Sequence, residues 1–201
     1  MKKILTALAI TTGLVLTGCS NVDSALTFGD TKITTTDLLA NVDTILAERA
    51  KVDTSQMQLE TGETLVRNQL QFQLLIAGFN TLAEEFTIEI TNSEIASRRA
   101  AIVEQVGGED LLPEALVSAS IAPLDLEPYL RAIVINDKIA QALIQTGVAE
   151  SEVQARVQEL FIAKLNSLNI EVNPRYGEWD AATGQIVAAV VASDAVTPST
   201  E

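Results

Sequence analysis

The sequence predicts a mainly α-helical domain closed by a small β element that its N- and C-terminal segments build together. Three observations point there. Apolar residues recur at helical spacing through most of the chain. Helix caps and breakers punctuate those stretches, as in Thr91-Asn92-Ser93-Glu94 and Gly107-Gly108. Short strand-like runs occur only near the two ends, at Ala25-Leu26-Thr27-Phe28 and within Gln185 to Val191.

The elements follow in order. Ala25 to Ile33 reads as a hairpin, with Gly29-Asp30 as its turn, because Gly at the first central position suits a tight hairpin loop. Thr34 to Thr36 is a cap cluster for a helix over about Asp37 to Lys51, with Leu38, Leu39, Val42, Ile45 and Leu46 inward. Val52 to Thr61 is polar and irregular. The longest helix covers about Glu63 to Glu85. Phe72, Leu75, Ile76, Phe79, Leu82, Ala83 and Phe86 form one helical stripe, and Val66, Leu70 and Leu74 form a second beside it. Two adjacent stripes leave only a narrow wetted face, so this helix is predicted to be central.

In Thr91-Asn92-Ser93-Glu94 the threonine oxygen can accept from the Glu94 amide while the Glu94 carboxylate returns to Thr91, a capping box. It opens a helix to about Gln105 that Gly107-Gly108 ends. A short helix over about Asp110 to Ser118 follows. Another is capped near Asp125 and runs to Gln145, with Leu126, Leu130, Ile133, Val134, Ala140 and Leu143 as core. The last spans about Glu150 to Leu168, with Val153, Val157, Leu160, Phe161, Leu165 and Leu168 inward. Ser93-Glu94-Ile95 and Ser151-Glu152-Val153 read as two similar caps. Beyond Asn169 come Ile-Glu-Val, a turn from Asn173 to Asp180, and an apolar segment, Gln185 to Val191. That segment is either a strand or a tail pairing with Ala25–Phe28. From about residue 192 the composition reads as a disordered tail.

The start of the chain carries a different signal. Met1-Lys2-Lys3 precedes an apolar run from Ile4 to Leu16, shorter than the roughly 20 residues a bilayer-spanning helix needs. Basic start, apolar run and small residues make a secretory signal peptide over residues 1–18. Leu16-Thr17-Gly18-Cys19 resembles the bacterial lipobox. That resemblance implies that the Cys19 thiol takes a diacylglyceryl group, that a peptidase cuts before it, and that residues 19–24 form a tether. Cys19 is the only cysteine, and a lone thiol elsewhere in an exported chain would be a liability. Acyl chains at about 0.8 kcal/mol per buried methylene would hold the domain on a membrane. The expected location is the outer face of the cytoplasmic membrane, or the outer membrane in a Gram-negative cell.

Composition narrows function. The chain has 27 acidic and 13 basic residues, a net charge of −14. Lys2 and Lys3 leave with the signal peptide, so the mature chain is more acidic still. This charge disfavours nucleic acid and anionic headgroups as partners. There is no histidine. Ser-His-Asp and Cys-His catalysis and histidine-ligated metals are excluded on that ground. No carboxylate spacing, calcium loop or phosphate-binding glycine loop stands out, so no catalytic residue, cofactor or metal is predicted.

Taken in order, the pieces resemble the N-terminal domain of the SurA family of periplasmic chaperones, and touch the PrsA-type foldases. The carrying residues are Leu26-Thr27-Phe28-Gly29 with Ile33-Thr34-Thr35-Thr36-Asp37, the entries Ile90-Thr91-Asn92-Ser93-Glu94-Ile95 and Glu150-Ser151-Glu152-Val153, and the closing Asn173-Pro174-Arg175-Tyr176-Gly177-Glu178-Trp179-Asp180. The closing segment looks like one found in Gram-positive lipoproteins of this kind. The resemblance implies a helical bundle with a small sheet over 25–191, and chaperone activity toward unfolded exported proteins. Many members carry a parvulin domain next. Little chain follows Trp179 and no histidine is present, so no isomerase activity is expected. Two functional readings follow. One is an ATP-independent holdase with an apolar groove drawn from Phe72, Phe79, Phe86, Tyr129, Phe161 and Trp179, although the helical spacing reads first as ordinary core, and Tyr176 and Trp179, in a turn beyond the last helix, read first as a lid over it. The other is an adaptor lipoprotein holding one folded envelope partner, which the scarcity of methionine and aromatic residues favours. The oligomeric state stays open.

Overall fold

The computed structural model describes residues 23–189. The signal peptide, the lipobox residues Leu16, Thr17 and Gly18, Cys19 itself, and the tail over 192–201 lie outside the described residues.

The chain opens with an antiparallel hairpin, β1 (Ser24–Phe28) and β2 (Thr31–Thr34). Gly29, at φ +51°, takes the first turn position as predicted. The strand starts at Ser24, one residue earlier than the tether reading allowed. Ser24 pairs with Thr34 and Leu26 with Ile33, so Ala25 is an extra residue on β1. That bulge lets the sequence neighbours Ala25 and Leu26 both be buried. The other edge of β1 pairs with β3 (Glu171–Val172), Leu26 opposite Val172. The two ends of the domain therefore meet in one sheet of order β2-β1-β3. Asn173 fastens the join: its amide donates to Ala25 O at 2.9 Å and its side chain to Ser24 O at 3.0 Å.

Helix α1 (Thr35–Arg49) is capped by Thr34, whose hydroxyl accepts from Asp37 N at 3.0 Å. Leu38, Val42 and Ile45 are buried, but Leu39 and Leu46 are not; they are 41% and 45% exposed. The expected five-residue face was too wide, because α1 packs on α2, the hairpin and the helix over Leu112–Ser118, and none of these covers its Leu39–Leu46 side.

Helix α2 (Gly62–Glu85) is central, touching α1, α5 (Leu126–Gln145), α6 (Glu150–Ser167) and β5 (Gln185–Val187). No residue from Gln69 to Ala83 is exposed. Its deepest line is Leu70, Leu74, Gly78 and Leu82. That line begins on the second predicted stripe, at Leu70 and Leu74, and reaches the aromatic one only at Leu82. Gly78 explains the shift: a Cβ there would meet Phe161 Cε2 at 2.7 Å, so its missing side chain lets α6 pack close. The core also takes Ile135 and Ile139 from α5, and Val153, Val157, Phe161 and Leu165 from α6. The α6 cap is Ala149, which offers no side-chain bond. The expected likeness between the two caps therefore fails.

The C-terminal segment departs most from expectation. The stretch read as a turn contains strand β4 (Glu178–Asp180), which pairs with β5, Trp179 opposite Ile186. Gln185–Val187 is thus a strand, but its partner is β4 and not β1. Gln71 of α2 holds this hairpin by accepting from Ile186 N at 2.7 Å and donating to Gly184 O at 3.3 Å. A sequence cannot announce such a clamp, since Gln71 and Ile186 are far apart along the chain.

Candidate ligand-binding groove

The predicted aromatic candidates do not meet in one groove. Phe72 of α2 packs on Tyr129 of α5 with ring centres 5.3 Å apart. Phe79 stacks on Phe161 of α6 at 4.8 Å. The two pairs fill different interfaces of α2 and hold helices together. Trp179 donates to Asn166 Oδ1 at 3.0 Å and packs on the core, and Tyr176 is buried. Only Phe86, just past α2, is exposed, at 45%. The ordinary core reading of Phe72, Phe79, Tyr129 and Phe161 and the lid reading of Trp179 describe them better.

A groove exists elsewhere, in a lobe made of α3 (Asn92–Val106), a 3-10 turn (Glu109–Leu111), α4 (Leu112–Ser118) and the start of α5. Its volume is about 570 Å³, and Ile95, Ala96, Leu112, Leu116, Leu126 and Leu130 supply aliphatic walls. Asn92, Arg99 and Glu127 add polar atoms. Further clefts of about 500 Å³ and 160 Å³ adjoin it and share lining residues, extending it past Leu124 on one side and Ile121 on the other. Leu124 is 83% exposed, the most exposed large apolar side chain among the described residues.

Local sequence builds this lobe. Thr91 and Glu94 form the predicted capping box: Thr91 N donates to Glu94 Oε2 at 2.8 Å, and Glu94 N to Thr91 Oγ1 at 3.3 Å. Gly107, at φ +97°, closes α3 in the left-handed conformation, where a Cβ would be costly. The chain then doubles back through α4. The α4–α5 connection is pinned to the core by two side chains. Gln69 donates to Ser120 O at 2.7 Å, and Arg49 donates to Ser120 Oγ at 2.7 Å and to Glu60 O at 2.6 Å. Asp125 stands at the N-cap of α5 as predicted, but its side chain makes no cap bond and accepts a hydrogen bond from Asn41 of α1.

No residue of α3 is buried. Ile95, Ile102, Val103 and Val106 are half-buried, and ion pairs link the helix to its neighbours. Glu94 meets Lys138 of α5 at 2.7 Å, Arg98 lies 3.7 Å from Asp137, and Arg99 pairs with Glu109 of the 3-10 turn. Lys138 beside it, with the Thr91 amide and hydroxyl, lowers the Glu94 pKa from 4.5 to about 2. Arg99 holds the Glu109 carboxyl below its ordinary value, and Glu109 raises Arg99 in return. These are exposed or half-exposed contacts, so they orient α3 more than they anchor it.

What the groove offers chemically is reversible apolar contact. Among the described residues, no three acidic, cysteine or histidine side chains gather as a metal site, and no helix is long and apolar enough to cross a membrane. The lining was missed in sequence because its residues come from three helices and a connection: four from α3, two from α4, one from the connection and three from α5. The available signal was the proline-flanked stretch Ala122-Pro123-Leu124-Asp125, which puts a leucine where no helix face can bury it. No family model matches the chain, and no curated protein or solved structure matches it either.

Proposed function

We propose that this chain is a membrane-tethered, extracytoplasmic, ATP-independent holdase that binds unfolded exported proteins through the α3–α4–α5 groove. The observation that carries the reading is the groove itself: open, with aliphatic walls interrupted by Asn92, Arg99 and Glu127, and walled on one side by a helix with no buried residue. Weak apolar contact is the means a chaperone has where ATP is absent. The acidic surface supports it by keeping a loaded complex soluble. The resemblance to the SurA family agrees in activity, and tethering rests on Leu16-Thr17-Gly18-Cys19.

The test is suppression of aggregation. Residues 20–201, made without lipid, are mixed with several unrelated unfolded exported proteins, and light scattering is followed. Broad protection near equimolar ratio is the expected result. Protection of none, with capture of one folded envelope protein, would sink the holdase in favour of the adaptor. The internal use of Phe72, Phe79, Tyr129 and Phe161 favours that second reading, since it leaves few aromatic side chains for a promiscuous surface. Tethering has its own test: Cys19→Ser should abolish palmitate labelling and release the chain from membranes. We further propose that no prolyl isomerase activity accompanies binding; turnover above buffer in a protease-coupled proline assay would contradict this.

A further inference from the structure

The walls of the groove constrain what can lie in it. They come from α3, α4, the 3-10 turn at Pro123–Asp125 and α5. No strand edge is among them. Helix interiors have already spent their amides and carbonyls on themselves, so the groove offers an incoming chain side-chain contact and almost no backbone partners. An extended segment pressed into it would lose water from its own N–H and C=O groups without replacement, and each group left unmet weakens binding. A helical segment meets those needs internally. No aromatic residue lines the groove or its two adjoining clefts, which also removes the usual platform for a polyproline ligand.

Charge narrows the occupant further. Between Glu89 and Lys138 the basic residues are Arg98, Arg99, Arg131 and Lys138. Arg98, Arg99 and Lys138 are paired with carboxylates of the same lobe. Arg131 donates its Nε to Asn80. Glu127, which lines both the groove and the larger adjoining cleft, has no ion pair. Glu104, Asp110 and Glu114 of the same lobe are exposed and also have none. Three of the four cations are paired with carboxylates, Arg131 keeps its charge beside the neutral Asn80, and four carboxylates are left over against it, so the field at the groove mouth is negative on balance.

We infer that the groove receives a short amphipathic helix with an aliphatic face and basic flanks, such as a helix-forming segment of an exported protein before it has docked. This rests on the proposed holdase and narrows it: the client is recognised as a nascent helix, not as an extended strand. Leu124 and Leu126 would flank the aliphatic face, and Glu127 would meet a flanking lysine or arginine.

The experiment uses the full chain in nanodiscs of zwitterionic lipid, with empty nanodiscs as the blank, and fluorescent peptides read by anisotropy. One peptide carries leucines at helical spacing with lysines on the opposite face. A second keeps the leucines and exchanges lysine for glutamate. A third keeps lysine and places two prolines at its centre. The first should bind tightest, by roughly threefold to tenfold over the glutamate form at low salt, with the gap closing as salt rises. The proline form should bind at least about tenfold more weakly than the first. Glu127→Lys, at an exposed position, should cancel or reverse the charge preference without loss of fold. Leu116→Glu should remove binding of all three, with circular dichroism confirming that helix content is kept. Equal binding of the proline form would overturn helix recognition and leave the holdase standing. Equal binding of the glutamate form would overturn the charge assignment. A self-associated chain that Leu116→Glu returns to monomer would mean that a second copy fills the groove, and would overturn the inference. Aggregation suppression that survives Leu116→Glu would leave the holdase and remove the groove as its site.

Discussion

Helices α2 and α3 belong to one domain and are held by opposite means. In α2 no residue from Gln69 to Ala83 is exposed, and its Thr61 cap makes no side-chain bond. In α3 no residue is buried, and it has a complete capping box, a left-handed glycine at its end and exposed ion pairs along its length. Isolated helices of about 12–15 residues are marginal in water. The 15-residue α3 therefore depends on its local devices, whereas α2 depends on tertiary burial. Local devices weigh tenths of a kcal/mol to about 1 each; buried leucines weigh several times more. The consequence is a domain with a firm half and a loosely fastened half, and the groove lies in the second.

That contrast can be broken in graded steps. Leu74→Ala, at a fully buried position, should cost about 2–5 kcal/mol in urea unfolding followed by the fluorescence of Trp179, the only tryptophan. Gly78→Val should cost about 1–3 kcal/mol by forcing Phe161 and Leu165 away from α2. Peptide binding per folded molecule should be unchanged in both. Gly107→Ala, at φ +97° with Leu111 Cδ1 3.1 Å from the new methyl, should cost about 1 kcal/mol. Its effect should appear as faster amide exchange at the end of α3, while the Trp179 transition barely moves. Acid should act on the lobe through Glu94. Its pKa is depressed when folded, so its contribution is complete above about 4.5, fades as pH falls, and is gone below about 2. Protection of α3 should therefore drop across that window more than protection of α2. Glu94→Gln keeps a capping partner but loses the Lys138 charge pair, and should flatten the difference.

The sequence was a good guide wherever neighbouring residues decide the outcome. The Gly29-Asp30 turn, the Thr34 cap, the Thr91–Glu94 box and the Gly107 stop are all local chemistry, and each stands where expected. So do the six helices; the N- and C-terminal segments also meet in a sheet as expected, but through Glu171–Val172 and not through residues 185–191. It guided poorly where distant residues decide. The pairing of β4 with β5 depends on a Gln71 clamp, and the burial of Leu39 or Leu46 depends on how many elements cover α1. The aromatic stripe was visible, yet its role was decided by Tyr129 and Phe161 across two interfaces. The groove was illegible for the same reason: its walls come from separate elements, and their burial is a property of the packed lobe.

Hydrogen exchange with and without a bound client tests the central claim most directly. The holdase account predicts added protection in Asn92–Val106, Leu112–Ser118 and the first turns of α5, with α2 and α6 unchanged. Protection gained along the exposed Leu39–Leu46 face of α1, or nowhere at all while aggregation is still suppressed, would contradict it.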